Sequence, residues 1–137
     1  MNIPLQTDAA PPKPAEAEFR EVRFEYTPAL PEILQHLQCS LLVSTYQAGK
    51  LMVVGVEAGQ IKLSFLNFDQ PMGVAVGREG IAIGSRGQVH LFRANHDIAP
   101  TIGPPGSYNG CFVPQNSAYT GNIHGHDLAW GERPSRK

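Results

Sequence analysis

The run TGNIHGHDLAWG, residues 120–131, sets His124, His126 and Asp127 within four positions of one another, beside the only tryptophan, Trp130. Two neutral imidazoles spaced as His-x-His can ligate Zn, Fe or Mn, provided a third or fourth donor joins them. The candidates elsewhere in the chain are Asp69, His90 and His96. If the run is a strand, alternate side chains share a face. His124 and His126 then point one way, and Ile123 and Asp127 the other. The plainer reading gives these residues structural work. Gly125 and Gly131 allow close backbone approach, Asp127 accepts from turn amides, and Trp130 packs as an anchor. Spacing alone does not select the metal, so a divalent ion at His124 and His126 and a ligand contact through His124, His126 and Asp127 both stand as expectations.

Two further places could contact a ligand. Tyr46 and Gln47 follow Ser44 and Thr45 in a polar cluster at a hairpin end, where turn chemistry is the commoner use. Arg86 stands in a matching turn farther on and could read an anionic group, against the plain alternative of a solvated guanidinium. Cys111 has no neighbour at a spacing that would activate a thiol. With Cys39 it reads as a pair of reduced thiols, since the two lie far apart in no metal or redox pattern. There is no G-x-S-x-G, phosphate-loop or dinucleotide glycine signature.

Composition narrows the class. The chain has 137 residues, 42% of them hydrophobic and 17% charged, with a formal net charge of −1. That suits one folded domain. Lys and Arg form no cluster interleaved with aromatics, so a phosphate-tracking nucleic-acid surface is not expected. The N-terminal run MNIPLQTDAAPPKPAEAE has neither a basic nor an apolar signal-peptide region, and no apolar run approaches the ~20 residues of a membrane helix. A cytoplasmic protein is the expectation.

The elements that must position the candidates follow from periodicity. Residues 1–18 form a Pro/Ala-rich arm expected to be disordered. FREVRFEY, residues 19–26, alternates imperfectly and is read as a strand. PALPEILQHLQ is read as a short helix, with Pro31 in its first turn, Glu32 near its positive end, and Ile33, Leu34 and Leu37 in one stripe. From Ser40 the period becomes two. SLLVSTY, KLMVVGV, IKLSFLNF, MGVAVG, IAIGS and VHLFR are six short strands joined by hairpin-length links, with Gly49 and Gly59 placed for positive φ. Spacing this tight leaves no room for intervening helices, so the pairing is antiparallel and meandering. ANHDIAPTIGPPGSYNG is an irregular loop.

The pattern repeats. LLVSTYQAGKLMVV and IAIGSRGQVHLF share the order apolar strand, Ser, short Gly turn, apolar strand. MGVAVG from Met72 and HDLAWG from His126 match across 54 positions. A four-stranded unit at this distance suits a propeller-like blade, whose repeats run about 40–50 residues, with a long loop making up the excess. The expected fold is mainly β: an antiparallel meander of about two blades over residues 19–131, with NIHGHDLAWG as the first strand of a third. Residues 132–137, ERPSRK, read as a tail at a truncation. In this arrangement Val76 and Trp130 are both expected to be buried between strands.

SLLVSTYQAGKL, FDQPMGVAVG, IAIGSRGQVHLFR and TGNIHGHDLAWG together resemble successive N-terminal motifs of an uncharacterised family of bacterial conserved hypothetical proteins, a domain of unknown function that is propeller-like and longer than this chain. The resemblance implies an N-terminal fragment of a propeller and no particular activity. Asn122 stands where the resemblance leads one to expect an acidic residue, which weakens the metal reading. Two functions of different class follow. One is a module that binds a protein or small-molecule ligand. The other is a fragment of a metal-dependent hydrolase or lactonase-type propeller enzyme, which would need several carboxylates or amides converging on an ion. The strand edges of an incomplete propeller invite self-association.

Overall fold

A computed structural model describes residues 21–108 and 110–131. Helix α1, Ala29–Leu37, forms where the sequence places it; it ends at Gln38, which takes a left-handed conformation (φ 51°) and returns its N–H to the last turn. Leu34 is its buried anchor. Seven strands follow: β1 Leu41–Thr45, β2 Lys50–Glu57, β3 Gln60–Asn67, β4 Val74–Val76, β5 Gly80–Gly84, β6 Gln88–Ala94 and β7 Phe112–Tyr119. They form two antiparallel sheets, β1-β2-β3 and β4-β5-β6-β7, each in simple sequence order. The expected meander is therefore present, and each of the six strands read from the sequence is in it. Gly49 and Gly59 have φ of 62° and 77°, closing the two hairpins of the first sheet. No helix among the described residues is long and apolar enough to cross a membrane.

The sheets meet face to face. Leu51 of the first sheet and Ile81 and Ile83 of the second form the centre of the core, ringed by Leu42, Phe68, Val74 and Phe92. Strand β5, GIAIG, is buried along its whole length. Its isoleucines face the first sheet, and its small residues leave the other face low. Onto that low face comes the stretch around Leu128, which approaches Gly84 closely.

Four expectations are corrected. Residues 21–26 form no strand, and residues 19–20 lie outside the described residues; Phe24 and Tyr26 stack on each other at 5.9 Å, and among the described residues no strand pairs with them. Residues 122–131 form no strand either, because among the described residues no further strand stands beside them to complete a ladder. His124 instead takes φ 48°, which breaks the alternation that would have set it on one face with His126. Val76 and Trp130 are not buried: their exposures are 65% and 52%. Val76 ends a three-residue edge strand, and Trp130 lies against Gly77 just beyond it with its Nε1 bonded to Ala75 O.

One strand was not read from the sequence. Strand β7 contains Pro114, which cannot donate to a ladder and argues against a strand interior. It is accommodated because β7 is the edge of its sheet, and because the register slips at Leu91/Phe92, where Asn116 and Pro114 oppose successive residues and Gln115 bulges out. The long loop contains a short 3-10 turn, Ala99–Thr101, held by Asn95 Oδ1 accepting from the amides of Asp97 and Ile98.

Candidate functional site

The two sheets bring their tight turns to one end of the molecule. Phe68 donates its N–H to Gly49 O, Arg86 to Asp69 O, and Thr120 to Gly87 O, at 2.8–3.0 Å. These bonds tie the turn before β2, the link between the sheets, the turn before β6 and the exit from β7 into one surface. A groove of about 600 Å³ opens there, lined by Asn67, Phe68, Asp69, Ser85, Arg86, Gln88, His90, Tyr119 and Asn122, among others.

Arg86 stands at its rim. Its Nε donates to Gln70 Oε1 at 2.8 Å, and Asp69 Oδ2 lies 3.6 Å away. The ion pair is half-exposed on both sides, so water screens it and it positions the guanidinium more than it stabilises the fold. Among the described residues the terminal amino groups of Arg86 carry no hydrogen bond, and they remain available as donors.

Ser85 and His90 line the groove, and His90 is the centre of a hydroxyl–imidazole–hydroxyl chain that runs on to Ser117. His90 Nε2 lies 3.1 Å from Ser85 Oγ, and His90 Nδ1 lies 2.9 Å from Ser117 Oγ. Ser85 Oγ also donates to Gln88 O at 3.2 Å. With the single Ser85 proton committed to that carbonyl, Ser85 accepts from His90 Nε2–H, and Nδ1 accepts from Ser117. This directs proton flow away from Ser85 as a nucleophile, which would have to donate to its base. Ser85 is moreover buried. The chain orients His90; it does not activate Ser85. Partial burial, against Phe68 at a ring distance of 5.1 Å, holds the His90 imidazole below its ordinary pKa by desolvating the charged form.

Of the residues singled out from sequence, Arg86, Asp69 and His90 line the groove, together with Asn122. Tyr46 and Gln47 sit in the turn before β2 at the same end without lining it; Tyr46 O accepts from Gly49 N–H, as turn chemistry requires. Asp127 Oδ1 accepts from the next amide, Leu128 N–H, at 2.8 Å. His124 and His126 are exposed. No three His, Cys, Asp or Glu side chains converge among the described residues, so the His-x-His pair gathers no further donor there. Cys39 and Cys111 are free thiols. His90, Ser85 and Ser117 were missed as a unit. The alternation VHLFR showed that His90 lies in a strand, but its partner Ser117 is in the strand that Pro114 disguised.

Trp130 marks the other end of the second sheet. Its Nε1 donates to Ala75 O at 3.2 Å, and its ring lies over Gly77, where a Cβ would come within 2.9 Å of it. A smaller cavity of about 470 Å³ beside it is lined by Arg78, Glu79, Phe92, Arg93 and Gln115.

Two antiparallel meander sheets packed through β5, with their turns gathered over a polar groove, define an all-but-entirely β domain with one short helix. The chain belongs to the family described as Domain of unknown function (DUF4915), which it matches over residues 28–136. No curated protein and no solved structure matches it.

Proposed function

We propose that this domain is a binding module, and that its groove at the turn end takes a small ligand carrying a carboxylate or phosphate. The observation that carries the reading is the convergence of Arg86, with its terminal donors uncommitted among the described residues, on a groove whose floor is the oriented His90 and whose rim adds Asn67 and Asn122. A guanidinium held by Gln70 and Asp69 meets an anion with little rotamer entropy left to lose. The amides add directional donors, and Phe68 and Tyr119 add apolar walls, the mixture expected of a small-ligand site. The repeat of strand, Gly turn and strand in both sheets supports a propeller-like arrangement, in which such a groove would open on one end of the blades. The test is calorimetric titration with inorganic phosphate, citrate and a neutral sugar as probes. An anionic probe should bind, Arg86→Ala should weaken it by about tenfold or more, and Arg93→Ala, in the other cavity, should leave it unchanged. Equal binding by the Arg86→Ala protein, or binding of the neutral probe alone, overturns the reading.

A further inference from the structure

The two sheets share one pattern, and among the described residues that pattern is incomplete before β1 and after β7. In the first sheet Lys50 opposes Asn67, and the next residue, Phe68, donates its N–H to Gly49 O at 3.0 Å; in the second, Gln88 opposes Tyr119, and Thr120 donates to Gly87 O at 3.0 Å. Strands β1-β2-β3 thus correspond to β5-β6-β7. The links that follow correspond too. Gln70 and His124 are both left-handed, with φ of 49° and 48°, and each stands two residues before one of the matched runs MGVAVG and HDLAWG. In the second sheet the matched run supplies β4, which pairs with the outer edge of β5. Strand β1 has no such partner: among the described residues its backbone is paired with β2 alone. Residues 126–131, conversely, lie against Gly73, Gly77 and Gly84 with no strand to pair with.

With Lys50 matched to Gln88, Met52, Val53 and Val54 fall on His90, Leu91 and Phe92, so their ladder partners Val43, Leu42 and Leu41 fall on Ile83, Ala82 and Ile81. Ile81 and Ile83 are 6% and 2% exposed, because the first sheet covers them; Leu41 and Val43 are 43% and 37% exposed. Among the described residues their sheet has neither the strand nor the covering neighbour that its counterpart has.

We propose that a second copy of this chain supplies both: residues 126–131 of one copy pair antiparallel with β1 of the next. The register follows from β4 and β5, where Val74, Ala75 and Val76 oppose Ile83, Ala82 and Ile81. Leu128, Ala129 and Trp130 then oppose Val43, Leu42 and Leu41. Residues 126–131 keep their seat on the second sheet of their own copy and use their other edge, so no segment has to be exchanged. Leu41 and Val43 of the acceptor come to lie against the donor's second sheet. Helix α1 packs on β2 and β3, so the contact is confined to β1 and its edge. Main-chain bonds supply the affinity and the alternating side chains the register, as in strand addition generally. The contact is head-to-tail, so copies close into a ring or run on as a filament.

Light scattering on the eluting 137-residue chain should give a whole multiple of 14.9 kDa, two or greater. In a Cys39→Ser, Cys111→Ser background, a Leu128→Cys copy mixed with a Val43→Cys copy should form an intermolecular disulfide under mild oxidation. Leu128→Cys with Leu41→Cys, two residues out of register, should form about tenfold less, since Cα atoms beyond ~7 Å are not bridged. A monomer over about a hundredfold range of concentration, or an oligomer that cross-links equally in both mixtures, overturns the proposal. Arg86→Ala should leave the association intact, which separates this interface from the ligand groove.

Discussion

His90 carries a pH dependence whose sign is set by its surroundings. Its imidazole is held below the ordinary pKa by desolvation, while the unfolded chain titrates near 6.5. Between those two values the unfolded state binds more protons, so stability rises with pH across that window. The contribution of neutral His90 is whole above about 6.5, falls as acid is added, and is lost below the depressed folded pKa. Thermal melts between pH 7 and pH 5 should show this loss, and His90→Gln should flatten it. A slope unchanged in His90→Gln would assign the titration to another group. Both flanking hydroxyls can accept from an imidazolium, so hydrogen bonding does not oppose protonation; the half-buried position against Phe68 does.

Among the elements, the segment that seats Trp130 depends on missing side chains. A Cβ on Gly73 would stand 2.9 Å from the carbonyl carbon of Asp127 and 3.0 Å from Leu128, closer than real contacts allow. Gly73→Val should therefore lift residues 127–130 from β4. Because Trp130 is the only tryptophan, the change is read as a red shift of the emission, at a stability cost of about 1–3 kcal/mol. Gly59→Ala separates space from conformation: nothing lies within 4 Å of the added carbon, yet φ is 77°. It should cost about 1 kcal/mol or more with the emission unmoved. Trp130→Ala should cost well under the ~3–5 kcal/mol of a buried aromatic, because half the side chain is in water.

For the whole molecule, the two sheets share a core that neither closes alone. Ile83 is 2% exposed at the contact of β5 with the first sheet. Ile83→Ala should cost about 2–5 kcal/mol, and circular dichroism and Trp130 emission should lose the two sheets in one transition. Separate transitions would mean that the sheets are independent units. The same packing explains where apolar surface is left over. Among the described residues β1 is paired on one side only, and its Leu41 and Val43 are 43% and 37% exposed.

Periodicity and turn chemistry determined much of this protein from sequence alone. The change to a period of two at Ser40, and glycines at hairpin-length intervals, fix six strands and their antiparallel order, since links so short permit nothing else. The helix was legible from Pro31, Glu32 and one apolar stripe. The match of MGVAVG with HDLAWG marked residues 126–131 as the sequence counterpart of the run that supplies β4. What that match could not say is whether the second run becomes a strand, because a strand exists only when another backbone takes its hydrogen bonds. Met72 and its neighbours have β5 beside them, whereas His126 and its neighbours have no counterpart within the described chain. Strand β7 was hidden for a related reason, as Pro114 is tolerated only at an edge and opposite a bulge, and neither an edge nor a bulge is a property of local sequence. The groove at the turn end likewise required the tertiary structure. Arg86 could be suspected from its turn, but His90 and Ser117 stand 27 positions apart, and only the pairing of β6 with β7 brings their side chains together.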